Sequence, residues 1–242
     1  MWRDTAVTEI WDGRFYSKDD RAMTGCGSCE GCSDCCRNTG DSIILDPRDL
    51  YFLTVASNKS FEAMMENEIE IRRTDGMILP NIMEYDEADP DRPEGCPFLD
   101  GGGRCGIYAF RPGFCRLFPL GRYYFDEPEE SGRKRGFHYI LQKDECSKRD
   151  ALRYEVRIAD WIGVEDIESY EQFICTWHFF LKDTATQMEA FPEEARDQIA
   201  RSVLQIFYVQ PYDRSMDFYT QFYTRLTRTE EQLAKLGFRY TE

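Results

Sequence analysis

Residues 26–36 read CGSCEGCSDCC and hold five of the ten cysteines of this 242-residue chain. The spacing Cys-x2-Cys occurs three times in succession, from Cys26 to Cys35. Two cysteines at this spacing can turn their thiolates toward one metal ion, and the glycine and serine residues between them allow tight turns that aim backbone N–H groups at sulfur. The stretch therefore predicts a loop-rich metal site.

The other five cysteines are more widely spaced along the chain. An even number of cysteines can indicate a disulfide framework, but no secretory signal is evident and a reducing cytosol keeps thiols free. Cys175 lies in the apolar run FICTWHFF, which is typical of a buried hydrophobic cysteine, so we leave it out of the site. The nine predicted metal ligands are Cys26, Cys29, Cys32, Cys35, Cys36, Cys96, Cys105, Cys115 and Cys146.

The number and spacing of these cysteines bear on which metal they bind. A structural zinc ion takes four ligands, so nine cysteines would require two sites or leave thiols spare. The run from Cys26 matches the start of the bacterial ferredoxin pattern, although its next spacing is two residues and not three, and a Cys-Pro follows only at Cys96. Adjacent side chains diverge, so we expect Cys35 and Cys36 to have different roles. We predict an iron-sulfur cluster of the 4Fe-4S type, with Zn2+ as the alternative.

Arginine and histidine side chains are two further kinds of group that could lie at the metal. Arg37, Arg111 and Arg116 lie close to cysteines in the sequence, and guanidinium groups near thiolates offset ligand charge and lower thiol pKa values. We predict these three arginines as cofactor-binding residues, although pairing with surface acids is an open alternative. His138 and His178, the only two histidines, lie in apolar stretches and are expected in the core.

The composition limits the classes of partner. The formal net charge is −15 and the sequence pI is about 4.7. Such an acidic surface repels phosphate backbones and anionic lipids, so we expect neither nucleic-acid nor membrane binding, and a protein partner or protein substrate remains possible. The opening MWRDTAVTEIWDGR lacks the apolar core of a signal peptide, and the apolar run near FICTWHFFL is about half a membrane span. We expect a cytoplasmic protein.

The hydrophobic pattern predicts an α+β fold that is mainly helical, with a short hairpin and a C-terminal bundle of about three helices. We divide the chain into an N-terminal arm (1–24), a loop-rich cysteine-cluster core (25–150) and a helical extension packed on that core (151–242). The arm carries enough aromatic surface to pack across the body.

Local signals predict the individual elements. Asp46-Pro47 is an N-cap followed by proline at the first helical position. Residues 60–73 are predicted to form a helix and 77–79 a short strand. A hairpin pairs 122–125 with 136–141. Helices are predicted for 165–188, for the segment between Pro192 and Pro211, and from Tyr212 to Gly237.

Four short motifs resemble those of a known family. They are CEGCSDCC (29–36), CPFL (96–99), the C-IY-RP element (105–112) and the CR-FP element (115–119). In this order they resemble the YkgJ-type CxxCxxCC cysteine-cluster proteins, described as zinc- or iron-chelating. The resemblance covers about residues 26–150, with Cys26 as an additional cysteine and with Ser147-Lys148 after Cys146 where the family has Pro-Gly. The segment from 156 to 187 also resembles the helical extension of some members.

The resemblance implies metal chelation more than a reaction. A distant relative, flagellin lysine N-methylase, is an iron-sulfur protein that shares the cysteine cluster and methylates surface lysines. We carry over the cluster and not the methylation, because the triplet GGG at 101–103 is typical of a tight turn and lacks the strand and helix of a nucleotide cradle.

Three function classes therefore stay open. The first is a metal-binding protein with an iron-sulfur cluster for electron transfer or redox sensing. The second is an enzyme that modifies a protein substrate, as the methylase does. The third is a thiol enzyme in which Cys36 or Cys115 is activated by the arginine that follows it. No catalytic residue can be assigned from the sequence.

Overall fold

The structure, a computed structural model, describes residues 11–25, 32–37, 39–40, 42–85, 94–126, 135–143, 146 and 153–240. The helices are α1 (Pro47–Ser57), α2 (Phe61–Met64), α3 (Gly113–Leu117), α4 (Ile158–Ile162), α5 (Ile167–Met188), α6 (Glu193–Leu204) and α7 (Phe218–Ala234). The strands are β1 (Arg21–Gly25), β2 (Ile69–Thr74), β3 (Met77–Ile82), β4 (Leu120–Phe125), β5 (Gly136–Leu141) and β6 (Tyr154–Arg157). Within the described residues the strands form three antiparallel pairs, β1 with β6, β2 with β3 and β4 with β5. The fold is α+β with a helical bias, as predicted.

Helix α1 begins where Asp46 and Pro47 predict. The Asp46 side chain accepts a hydrogen bond from the backbone N–H of Asp49, and the Asp49 side chain accepts one from the backbone N–H of Asp46. This reciprocal capping satisfies two N–H groups that the helix itself leaves without partners. Leu50 and Leu53 on the same helix are buried, so α1 is anchored at its start and along its inner face.

The helix predicted for residues 60–73 is wrong beyond its first turn. Helix α2 ends at Met64, and the chain continues as strand β2, which pairs with β3 through a two-residue turn at Asp75-Gly76. Both turn residues have positive φ, 49° and 82°, as a tight hairpin turn of this length requires. All six residues of β3 are buried, so pairing with this inner strand overrides the helical preference of the segment.

The hairpin of β4 and β5 is confirmed, and β4 starts two residues earlier than predicted, at Leu120. The described part of the N-terminal arm packs on this hairpin. Tyr16 exchanges two backbone hydrogen bonds of 2.9 Å with Tyr139, and Trp11 forms a bridge to Gln142. Strand β1 then pairs with β6, which leads into α4 and the helical extension.

The C-terminal helices share an aromatic core. Phe173 on α5 contacts Phe222 on α7 at 4.7 Å between ring centroids, and Trp177 contacts Phe207 at 4.9 Å. Helix α7 starts at Phe218 and not at the predicted Tyr212. The side chain of Asp217 caps it by accepting a hydrogen bond from the backbone N–H of Thr220. No helix among the described residues is long and apolar enough to cross a membrane.

The extension and the cysteine-bearing part share one hydrophobic core. Tyr208, in the π-helical segment Gln205–Val209 that continues α6, donates a hydrogen bond of 2.9 Å to the carbonyl of Leu45. This contact ties the bundle to the start of α1. The boundaries of the three-part division stay a prediction.

Candidate metal centre

Six cysteines line one cavity of about 470 Å³. They come from three segments that are distant in the sequence: the turn around 32–36, the loop 96–105 and helix α3. The six are Cys32, Cys35, Cys36, Cys96, Cys105 and Cys115. The fold therefore gathers the described cysteines of the four motifs into one place.

The backbone joins the first two segments directly. The N–H of Cys96 donates to the carbonyl of Cys36 at 2.8 Å. Gly95 makes this approach possible, since its φ is +106° and a Cβ atom there would lie 2.5 Å from the same carbonyl oxygen. Arg37 adds a second link, because its Nη1 donates to the carbonyl of Glu94 at 3.0 Å.

The loop that carries Cys105 is a compact turn. Leu99 and Cys105 form an antiparallel bridge, and Gly106 donates its N–H to the carbonyl of Phe98 at 2.8 Å. The Asp100 side chain accepts from the backbone N–H groups of Gly102 and Arg104. The glycine triplet is therefore a tight turn that returns the chain toward Cys96.

Helix α3 carries Cys115, which lines the cavity, and is held in place at its buried first residue, Gly113. The N–H of Gly113 donates to Oδ1 of Asp49 at 2.8 Å, which ties α3 to the start of α1. A Cβ atom at Gly113 would lie 2.8 Å from the hydroxyl of Tyr170, so the close contact with α5 requires glycine. Helix α3, which carries Cys115, is thereby fixed against α1 and α5.

Backbone N–H groups approach two of the sulfur atoms in the cavity. The N–H of Phe98 donates to the thiol of Cys96, and the N–H of Ile107 donates to the thiol of Cys105. These hydrogen bonds favour the thiolate form. Burial opposes them, since it raises the pKa of Cys96 to about 11 and also raises the pKa of Cys105.

Four of the thiols interact electrostatically in every pairwise combination. Besides burial, repulsion from Cys105 and Cys35 raises the pKa of Cys96, and repulsion from Cys35 raises that of Cys105. Burial also raises the pKa of Cys115, with contributions from Cys96, Cys35 and Cys105. A hydrogen bond with Cys36 is the main cause that raises the pKa of Cys35. If these four thiols were ionised, their mutual repulsion would favour a bound cation.

Of the three arginines predicted at the cofactor, Arg111 lines the cavity. Its guanidinium lies 4.3 Å from the ring centroid of Tyr108, and its Nε is buried without a hydrogen-bond partner among the described residues. Its positive charge lowers the pKa of Cys105, although burial acts more strongly in the opposite direction. Arg37 and Arg116 bind backbone carbonyls, Arg37 that of Glu94 and Arg116 those of Ala109 and Ile162.

Three predicted ligands are not among the described residues that line this cavity. Cys26 and Cys29 lie outside the described residues. Cys146 is described but does not line the cavity, and its carbonyl accepts a hydrogen bond of 3.1 Å from Arg153. Cys175 lies on α5, away from the cavity lining.

The two histidines occupy aromatic surroundings. His178 stacks on Tyr124 with 3.5 Å between ring centroids, and His138 contacts Phe15 and Phe125. Neither histidine lines the cysteine cavity. In the part of the chain that the structure describes, no three His, Cys, Asp or Glu side chains are placed to hold a metal ion together.

The cavity wall also contains residues that sequence reasoning did not assign. Phe98, Ile107, Tyr108 and Pro112 lie within the quoted motifs, so the motifs could have indicated them. Ile43 and Ile82 come from the segments around α1 and β3, and nothing in their sequence context connects them with cysteine.

Although no three described side chains are placed to hold one ion together, the chemistry of the cavity wall suits a thiolate-bound metal group. Thiols, backbone N–H groups aimed at sulfur and a buried guanidinium with an unpartnered Nε all favour negative charge at this position. Apolar side chains form much of the remaining wall, and Cys35 is exposed. Cys35, Cys96, Cys105 and Cys115 would supply the ligands.

Comparison with known proteins agrees with this chemistry. Residues 28–147 match the family model CxxCxxCC, whose description is "putative zinc- or iron-chelating domain". The matched segment contains all six cysteines of the cavity. No curated protein and no solved structure shows significant similarity to the chain, so the comparisons do not show a relation to flagellin lysine N-methylase. Through residues 28–147 the chain belongs to the CxxCxxCC family of zinc- or iron-chelating domains.

Proposed function

We propose that the chain holds a 4Fe-4S cluster through Cys35, Cys96, Cys105 and Cys115 and uses it for redox or protein-modification chemistry. The main support for this proposal is the cavity, in which six thiols from three distant segments come together. Four of these thiols act on one another in every pairwise combination. A 4Fe-4S cluster takes four cysteine thiolates.

The size of the cavity favours a cluster over a single zinc ion. Two thiolates on one tetrahedral zinc lie about 3.8 Å apart, given Zn–S bonds of about 2.3 Å. Such a site closes around the ion and leaves little space. A cavity of about 470 Å³ has room for a group larger than one ion.

The chain's own residues would tune such a cluster, which when bound supplies one-electron chemistry. The N–H groups of Phe98 and Ile107 stabilise the charge on two ligand sulfurs, and Arg111 offsets part of the remaining charge. Phe98, Ile43 and Ile82 form an apolar wall that limits solvent, and solvent exposure is one determinant of the potential. The net charge of −15 favours a basic protein as redox partner or substrate.

Metal and acid-labile sulfide content, with an absorption spectrum, tests the proposal on protein purified without oxygen. About four iron and four sulfide ions per chain, with a broad absorption band at about 400 nm, would support the proposal. One or two zinc ions without sulfide would contradict it and leave the cysteines a structural site.

Cysteine variants then test the ligand assignment. We expect Cys96→Ser to lose most of the metal and to lower stability, because Cys96 lines the cavity and its sulfur has an N–H partner. Cys175→Ser is the matched control, since Cys175 is a half-buried cysteine on α5 outside the cavity. It should retain the metal. Metal retained in Cys96→Ser, or lost in Cys175→Ser, would show the assignment to be wrong.

A further inference from the structure

A second, smaller cavity of about 120 Å³ lies between the start of α1, strand β4 and helix α5. Its wall contains the charged side chains of Asp46, Asp75, Arg122 and Lys182, together with Tyr124, His178 and apolar side chains of α5. Helix α3 contributes to both cavities, since Gly113 and Phe114 border this one and Cys115 borders the cysteine cavity. The cysteine-cluster function does not account for this second cavity.

Arg122 places a guanidinium group in the cavity wall. Its Nη2 donates to the hydroxyl of Tyr170 at 3.0 Å, and it also hydrogen bonds with Tyr124. Its Nε is buried without a hydrogen-bond partner among the described residues. A buried guanidinium that faces neutral phenols and keeps an unsatisfied N–H is stabilised by an anion.

Two acids lie near Arg122. Asp46 and Glu171 are both within its electrostatic range, and burial raises the pKa of each carboxyl group. Asp46 also uses its side chain to cap α1, so its orientation is fixed by the helix and not by Arg122.

The rest of the wall supplies further donors and an apolar face. Burial lowers the pKa of His178 to about 3, so its imidazole is neutral at physiological pH, and its ring stacks on that of Tyr124. Ile174, Trp177 and Leu181 also line the cavity. A ligand with an anionic head and a short hydrocarbon body would match both the guanidinium and these apolar side chains.

The volume limits the size of that ligand. An engineered apolar cavity of about 150 Å³ accommodates benzene, so a cavity of about 120 Å³ fits a somewhat smaller molecule. Inorganic phosphate matches the guanidinium but would leave the apolar face without a partner. We propose that this cavity binds a short-chain carboxylate, with its carboxylate at Arg122 and its hydrocarbon chain against Ile174 and Leu181.

Propionate is the probe for this site. The metal-loaded protein, purified without oxygen, is titrated with propionate by calorimetry and by thermal unfolding. We expect saturable binding and a rise of the Tm with propionate concentration, as for any ligand that binds the folded state only. Inorganic phosphate at the same concentrations should give a weaker response.

Two variants act on the site by different routes. Arg122→Gln removes the charge, and Ala185→Leu fills the cavity from α5 while leaving Arg122 in place. Both should abolish the response to propionate. Arg225→Gln is the control, because Arg225 is another half-buried arginine that binds backbone carbonyls and stacks on Tyr212, remote from the cavity. It should retain the response.

Several outcomes would overturn the proposal. They are the absence of saturable propionate binding to the wild-type protein, an unchanged response in Ala185→Leu, and an equal or stronger response to phosphate. Ala185→Leu tests the proposed site even if Arg122→Gln fails to fold. Metal content measured on the same samples separates this result from the fate of the cluster proposal.

Discussion

Burial of His178 against Tyr124 makes the stability of the protein depend on pH. The pKa of His178 is lowered to about 3 in the folded chain, mainly by burial, from an ordinary value of 6.5. Below about pH 6.5 the unfolded chain therefore takes up a proton that the folded chain does not. The free energy of unfolding should fall as the pH drops from 6.5 toward 3, by about 2 kcal/mol between pH 7 and pH 5.

Urea unfolding of the wild-type protein and of His178→Phe at pH 7, 6 and 5 measures this contribution. Phenylalanine keeps an aromatic ring against Tyr124 and cannot take up a proton. We expect the variant to lose about 2 kcal/mol less than the wild type over this range. Parallel pH profiles would show that His178 is protonated as readily in the folded state as in the unfolded state.

At the level of elements, the turn between β2 and β3 depends on a glycine. Gly76 has a φ of +82°, and a Cβ atom there would meet only Met188, at 4.0 Å. Gly76→Ala should therefore lower the free energy of unfolding by about 1–2 kcal/mol through backbone strain and not through a clash. Gly101→Ala is the control, since Gly101 has no positive φ and no neighbour within 4 Å of a Cβ atom. Equal stability of the two variants in urea unfolding would contradict this account.

Most elements follow from local sequence signals, and the exceptions have tertiary causes. The capped start of α1 and the period of α5 are local properties, so they could be predicted. The local sequence of residues 69–73 predicts a helix. The segment forms a strand because it pairs with β3, whose burial cannot be seen from the local sequence. Tyr212 is held before α7 by Arg225, whose guanidinium lies 3.7 Å from its ring centroid, and this contact spans two segments that sequence reasoning joined into one helix.

At the scale of the whole molecule, the sequence predicts which residue types form the site but not which of them meet. The motifs indicate thiols, and six of the nine predicted ligands do share a cavity. The contacts that assemble them join distant segments, as between Cys36 and Cys96 or between Asp49 and Gly113. The same limit applies to the arginines, because proximity in sequence does not distinguish Arg111, in the cavity wall, from Arg116, which binds carbonyls.

The distribution of the core predicts how the molecule responds to loss of its metal. The C-terminal bundle contributes to the shared core a dense set of aromatic contacts, including those among Phe173, Trp177 and Phe222. The segment 94–117 is mostly turns, so metal ligation should supply much of its folding energy. After anaerobic removal of the metal with a chelator, we expect backbone amides of 96–117 to lose protection from hydrogen exchange while those of α5 and α7 keep theirs. Equal loss of protection in both regions would instead mean that the shared core makes the metal centre and the bundle one cooperative unit.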